Sequence, residues 1–290
     1  MNEFSNAEKA EVLVSALPYI QKYNDKIVVI KYGGSAMTDE KLKMQVMEDI
    51  VLLHLIGVKV VLVHGGGPEI SELMQKLGKK PEFVDGLRVT DRETVDIAQM
   101  VLAGKINKTL VNLLQMKGGN AMGISGMDGR LLEAKMKDER LGFVGEVTSV
   151  NIDPVVDLLE KSYIPVVSTI GCDRDGNAYN INGDTAAARI AGALGAKRFI
   201  LMTDVRGILR DQNDPDSLIA DVSLKETDDL FQKGIISGGM VPKVKCCIDA
   251  IQRGVHKVII MDGRVPHAIL MELLTDEGAG TMVYGGEKDE

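Results

Sequence analysis

Two short runs of β-branched residues each end in glycines, and this repeated punctuation constrains the fold more than any other feature of the chain. The first is Ile27, Val28, Val29 and Ile30, followed by Lys31, Tyr32, Gly33, Gly34 and Ser35. A short, continuous apolar run of this kind reads as a buried strand. After a helix-like segment the device returns as residues 58–63, followed by His64, Gly65, Gly66, Gly67 and Pro68. A strand that runs into glycines and then a helix leaves bare backbone N–H groups at the helix start, and these attract anions together with the helix dipole. Two such ends side by side in a parallel sheet form one anion pocket at its carboxyl edge, where open α/β sheets bind ligands. Either turn alone is explained as a tight connection. The pair, with a lysine at one strand end, points to phosphate or carboxylate binding.

The rest of the chain alternates in the same way. Residues 5–23 form an amphipathic helix, with Ser5 or Asn6 as cap and Glu8 placed for a capping box. Its apolar stripe is Val12, Leu13, Ala16, Leu17 and Ile20, and Pro18 should kink or break it. The stripe is buried either on its own domain or between subunits. Helices are expected over 42–56, 69–77, from a Thr90 cap towards Met100, over 106–116, 153–161, 186–194 and 227–233, from Lys243 to near Arg253, and over 266–274. Strands are expected over 121–125, 164–169, 199–202, 258–261 and 281–283. Residues 131–150 switch to alternation with turn residues, which suggests a β-hairpin. The expected class is α/β, a three-layer αβα sandwich with a mostly parallel open sheet in two lobes. Residues 1–24 precede the sheet, 25–178 form the first lobe and 179–290 the second.

The 290 residues allow one large domain or two lobes. With 45% hydrophobic residues a full core is available. The net charge of −8, with both signs mixed along the chain, excludes a basic nucleic-acid footprint. His54, Gly57 and Lys59 interrupt the best apolar run, so no membrane span or signal peptide is expected. Cys172, Cys246 and Cys247 are an odd set without CxxC spacing and read as free thiols in a reducing, cytoplasmic compartment. The four histidines lack ligand spacing, so no protein metal site is expected. No Walker A sequence occurs, and no G-x-G-x-x-G lies between a strand and a helix.

Several charged residues remain to carry chemistry. Lys31 stands at the mouth of a glycine turn. Lys243 follows Gly238 and Gly239 near a helix start. Asp184 lies in the first turn of its helix after Asn180 and Asn182. Arg88, after Gly86 and Leu87, either clamps a carboxylate or pairs with Asp91. Two lysines, glycine N–H groups and one acid suit phosphoryl transfer, where positioning and charge neutralisation supply most of the catalysis.

These stretches together, Lys31-Tyr32-Gly33-Gly34, His64-Gly65-Gly66-Gly67-Pro68, Gly86-Leu87-Arg88-Val89-Thr90, Asn180-Ile181-Asn182-Gly183-Asp184 and Gly238-Gly239-Met240-Val241-Pro242-Lys243, resemble the amino-acid kinase family over nearly the whole chain. The runs around Arg88 and Asn180 resemble the branch of arginine biosynthesis that acts on N-acetyl-L-glutamate. The resemblance implies the amino-acid kinase fold and phosphorylation of that substrate's side-chain carboxylate by ATP, with Mg²⁺ carried on the nucleotide. It implies that Lys31 and Lys243 neutralise the transferring phosphoryl and that Asp184 orients both. Gly33, Gly34 and Gly66 would offer N–H groups to phosphates. Gly66, Gly67, Arg88 and Asn180 would hold the acceptor, and Asn182 would fix the local geometry. Thr203, Asp204, Val205, Gly207, Leu209, Gly239 and Met240 would line the nucleotide site. Arginine-inhibited members are similar in carrying an N-terminal extension that interlaces dimers into hexamers. The resemblance therefore implies a trimer of dimers inhibited by L-arginine at Glu272 and Gly278, and it admits a trimeric PII nitrogen-signalling protein as partner. A kinase of a longer acylated amino acid, such as an aminoadipate derivative, and an inactive amino-acid sensor are the alternatives.

Overall fold

The computed structural model describes residues 5–286, so the outermost ends of the expected three-part division, 1–4 and 287–290, lie outside it. Ser5 opens α1 (Asn6–Ser15) as half of the expected capping box, accepting from the Glu8 N–H while the Glu8 carboxylate accepts from Ser5. The chain breaks before Pro18 and restarts as α2 (Leu17–Tyr23), with the proline in the first turn, where its missing N–H leaves no hydrogen bond unmade. Of the two placements left open for the apolar stripe, packing on its own domain is not seen along α1, although Ala16 and Ile20 beyond it are partly covered. Helix α1 buries none of its residues, and Val12 and Leu13 stay 60% and 73% exposed.

Strand β1 (Ile27–Tyr32) leads through a 3₁₀ turn, Gly34–Met37, into α3 (Glu40–Leu55), which Asp39 caps by accepting from the Leu42 N–H. Next come β2 (Lys59–His64), α4 (Gly67–Lys76) and a small antiparallel hairpin of β3 (Phe83–Val84) and β4 (Leu87–Arg88). Helix α5 (Arg92–Gln99) is capped by Asp91, not Thr90 as expected. The Asp91 carboxylate accepts from the Thr94 N–H, whereas the Thr90 hydroxyl is buried and donates to the Arg88 carbonyl. The two helices expected over 90–116 are one unbroken run, because a π-helical segment, Met100–Ile106, joins α5 to α6 (Asn107–Met116).

Strand β5 (Ala121–Ser125) is followed by the expected hairpin, β6 (Leu132–Met136) and β7 (Gly145–Val150), then α7 (Asp153–Glu160), β8 (Ile164–Ser168), β9 (Ile170–Cys172) and β10 (Ala178–Asn180). The second half supplies α8 (Gly183–Ala193), β11 (Arg198–Thr203), β12 (Asp221–Ser223), α9 (Leu224–Gln232), α10 (Met240–Gln252), β13 (Lys257–Asp262), α11 (Ala268–Leu274) and β14 (Gly280–Tyr284).

Eight strands form the main sheet in the order β12-β14-β13-β11-β1-β2-β8-β5, parallel except where β13 meets β14. Strand β1 is therefore central, with first-half strands on one side and second-half strands on the other. Side chains alternate along it: Val28 and Ile30 enter one core and Val29 the other. Helices α3, α5 and α6 close the first core, and α8 and α10 close the second, giving the three expected layers. Cys172, Cys246 and Cys247 are free thiols, and Cys172 and Cys247 are buried. Among the described residues no helix is long and apolar enough to cross a membrane.

Phe199 on β11 is fully buried in the second core and pairs in register with Val29 and Val258. Phe199→Ala is expected to lower unfolding free energy by about 3–5 kcal/mol. Urea denaturation measures this, and a loss below about 1 kcal/mol would contradict the packing.

Candidate active site

The central position of β1 puts both glycine turns at one edge of the sheet. There they wall a cavity of 280 Å³ together with Arg88, Asn180, Asn182 and Asp184. Lys31 leaves the last turn of β1 and its Nζ meets the Asp184 carboxylate at 2.9 Å, with 14% and 22% of the two side chains exposed. Gly33 makes that path: a Cβ there would stand 2.7 Å from Lys31 Nζ. Asp184 is fixed by the start of α8. The Asn182 side-chain oxygen caps the helix, accepting from the N–H groups of Asp184 and Thr185 at 3.1 Å each. The Asn180 amide reaches the Thr90 hydroxyl at 3.4 Å.

Arg88 pairs with no carboxylate among the described residues. Asp91, one of its expected partners, is taken by Lys79 at 2.7 Å. Arg88 is 6% exposed. It donates to the Gly67 carbonyl and the Ser71 hydroxyl, both at 2.8 Å, and lies over the Phe83 ring at 4.8 Å. A buried cation held by neutral oxygens at the cavity wall is ready for an incoming carboxylate.

Lys243 lies elsewhere. It sits near the start of α10 in the wall of a second cavity, 470 Å³, with Val205, Gly207, Leu209, Gly239 and Met240. Thr203 and Asp204 are not in that wall. The Thr203 hydroxyl oxygen accepts from the Val205 N–H at 3.0 Å and so shapes the turn, and the Asp204 carboxylate stands beside Gly34. Glu272 and Gly278 meet in a third cavity, 340 Å³, whose other walls include Tyr19, Lys22, Tyr23 and Arg198. Burial raises the pKa of Glu272, and its carboxylate accepts from the Ala279 N–H at 2.7 Å.

Sequence reasoning did not find the partners of His64. The ring is fully buried at the end of β2, with Nδ1 3.0 Å from the Gly65 carbonyl and Nε2 3.2 Å from the Asn107 amide nitrogen. Asn107 is fully buried as well, on a helix that local pattern ties only to its own neighbours. Burial pulls the His64 pKa down to about 4. The ring is therefore neutral at pH 7, as an Nε2 that accepts from Asn107 requires.

Comparison with known proteins agrees with this architecture. Residues 26–262 match the profile of the amino acid kinase family. The acetylglutamate kinase of Brachyspira hyodysenteriae is 52% identical over 98% of this chain and 99% of that protein. That of Clostridium beijerinckii is 51% identical over 97% and 99%. Two solved structures are alike in fold. N-acetylglutamate synthase from Neisseria gonorrhoeae, complexed with coenzyme A and N-acetyl-glutamate, has a TM-score of 0.82 at 24% identity, and the match covers 96% of this chain and 64% of that one. Carbamate kinase from Giardia lamblia bound to AMP-PNP has a TM-score of 0.65 at 21% identity, covering 90% and 99%.

The His64 geometry makes stability depend on pH. An unfolded histidine titrates near ~6.5, whereas the native ring titrates at about 4. Between these values the unfolded chain binds a proton that the native chain does not, so stability is full above the upper value and falls as pH drops through the window. The shift corresponds to about 3 kcal/mol. His64→Gln should lose about 2 kcal/mol less than the parent protein between pH 7 and 4.5 in urea unfolding. Equal losses would show that the native ring carries its proton.

Proposed function

The chain belongs to the amino-acid kinase family, and from that premise we propose that it phosphorylates the side-chain carboxylate of N-acetyl-L-glutamate with ATP. The products are N-acetyl-L-glutamyl 5-phosphate and ADP, and the step is the second of arginine biosynthesis. One observation carries the match to this acceptor. The cavity holds the Lys31 ammonium and glycine turns together with a buried guanidinium that pairs with no carboxylate among the described residues, which suits a molecule with two carboxylates.

In this reading Arg88 takes the α-carboxylate, and Gly66, Gly67 and Asn180 hold the rest of the acceptor. The side-chain carboxylate points to Lys31. A free glutamate side chain titrates near ~4.3, so the nucleophile is ionised at neutral pH and needs no general base. An oxygen of that carboxylate attacks the terminal phosphorus of ATP while the bond to ADP breaks. Charge on the transferring phosphoryl is met by Lys31 from the acceptor side and Lys243 from the nucleotide side, and by the N–H groups of Gly33, Gly34 and Gly66. Asp184 holds Lys31 in place, and Asn182 holds Asp184. Residues 203–209 and 238–240 wrap the nucleotide. Mg²⁺ would be carried chiefly by the phosphates of ATP and by water, since Asp184 is engaged by Lys31 and no cluster of metal-ligating side chains stands among the described residues. There the ion would offset phosphate charge. The free thiols fit work in the cytoplasm.

Regulation follows from the third cavity and the exposed stripe of α1. The stripe packs against its copy in a neighbouring dimer and builds a hexamer, a trimer of dimers. L-Arginine sits between Glu272, Gly278 and the α2 residues Tyr19, Lys22 and Tyr23, so the effector touches the segment that joins the dimers.

Two outcomes are expected. Lys31→Met should lower kcat for ADP formation dependent on N-acetyl-L-glutamate by about 10²–10³-fold, the usual loss when one charge-stabilising group is removed. A variant within tenfold of the parent would remove Lys31 from catalysis. Deletion of residues 1–23 should leave an active dimer that arginine inhibits poorly, and a hexamer persisting on light scattering would defeat the regulatory reading.

A further inference from the structure

The helical run beneath the second glycine turn is regular at both ends and wide in the middle. Helices α5 and α6 are joined without a break by the π-helical segment Met100–Ile106. Such segments occur mostly as single-turn bulges, frequently at functional sites. In an α-helix, residue 107 would lie about 140° around the axis from residue 102. A turn that closes residue i onto i+5 brings the two back towards one face.

That face meets the second glycine turn and the strands beside it. Ile106 Cδ1 and Leu102 Cδ2 stand against Gly66, where an added Cβ would meet them at 2.1 and 2.8 Å. The next side chain, Asn107, reaches His64 Nε2 at 3.2 Å. The same amide nitrogen meets the Val166 carbonyl at 2.9 Å and the Ile124 carbonyl at 3.2 Å, which anchors it to β8 and β5. His64 in turn meets the Gly65 carbonyl at 3.0 Å. One helix thus grips the turn through two apolar contacts on Gly66 and one polar contact on His64. Regular α-helical geometry would aim Asn107 away from the face it shares with Leu102.

We propose that this π-turn is a positioning device for phosphoryl transfer, in which Ile106 and Asn107, with Leu102, set the place of the Gly66 N–H relative to the transferring phosphoryl. The inference rests on the reading of this cavity as the acceptor site. A backbone N–H stabilises developing charge only if it is already aimed where that charge appears, and a displacement of about 1 Å in such a site can lower the rate by about 10²-fold. Ile106 and Asn107 act through the turn and are positioning residues.

The test removes single contacts. Ile106→Val deletes only Cδ1, the atom nearest Gly66. Ile50→Val, which deletes the same methyl from the buried face of α3, is the matched control. Asn107→Ser shortens the amide that reaches His64. For each protein, kcat and the KM for N-acetyl-L-glutamate are measured at saturating ATP, along with the melting temperature. Ile106→Val should lower kcat by about 5–20-fold with KM within twofold, and Asn107→Ser by about 100-fold. Ile50→Val should keep the parental kcat while losing comparable thermal stability. Should Asn107→Ser fail to fold, Ile106→Val decides the matter alone. A kcat for Ile106→Val within twofold of the parent, or a fall shared by Ile50→Val, overturns the positioning role alone. A parent protein inactive towards N-acetyl-L-glutamate overturns the acceptor reading and this inference with it.

Discussion

An ammonium group from the end of β1 meets a carboxylate from the first turn of α8, and the geometry of the site depends on that contact. Lys31 and Asp184 come from opposite halves of the chain and stand 2.9 Å apart, largely out of water. Desolvation of two charges offsets much of their attraction, so the pair contributes more to position than to stability. It exists because three local conditions coincide. Strand β1 aims the lysine out of the carboxyl edge, Gly33 offers no side chain in its way, and Asn182 caps α8 so that Asp184 faces back to the sheet.

The sheet order does the rest. Strand β1 lies at the point where the topology switches, with β2 on one side and β11 on the other. The ends of neighbouring strands fall in register there, Tyr32 beside His64 and His64 beside Ser168. This is the crevice where open α/β sheets bind ligands. First-half loops bring Arg88 and the glycine turns to it, and second-half loops bring Asn180, Asn182 and Asp184. Lys243 and the residues after β11 form the second cavity. The first cavity thus draws on both halves of the chain, with Lys31 in its wall, whereas the second draws on the later half, with Lys243 in its wall.

Much of this was legible in the sequence, for reasons that are local. β-Branched runs ended by glycines gave the central strands, Ser5 with Glu8 gave the first cap, and Pro18 gave the first break. Other features depend on contacts that no local pattern records. Thr90 and Asp91 are both good helix caps, and the choice went to Asp91 because Thr90 is drawn inside to bond the Arg88 carbonyl. The stretch between Met100 and Ile106 reads as an interruption between two helices because the π-turn shifts the apolar period there. Arg88 and Asp91 are close enough in sequence to pair, yet Lys79 takes the aspartate and leaves the guanidinium among neutral oxygens. Tyr19, Lys22 and Tyr23 join Glu272 only because α2 folds back beside the far end of the chain, where Arg198 opens β11.

The central claim is that the cavity around Lys31 and Arg88 holds N-acetyl-L-glutamate while a phosphoryl group passes to its side-chain carboxylate. The product would be an acyl phosphate, which hydroxylamine converts to a coloured hydroxamate. The decisive measurement is hydroxamate formation with Mg-ATP and, in parallel, N-acetyl-L-glutamate, N-acetyl-L-aminoadipate, L-glutamate and L-aspartate. The account predicts rapid hydroxamate formation from N-acetyl-L-glutamate and a rate lower by about 10–200-fold from the acceptor one methylene longer, the discrimination that such a difference supports. No hydroxamate from N-acetyl-L-glutamate, or a faster reaction with any other acceptor, would contradict it.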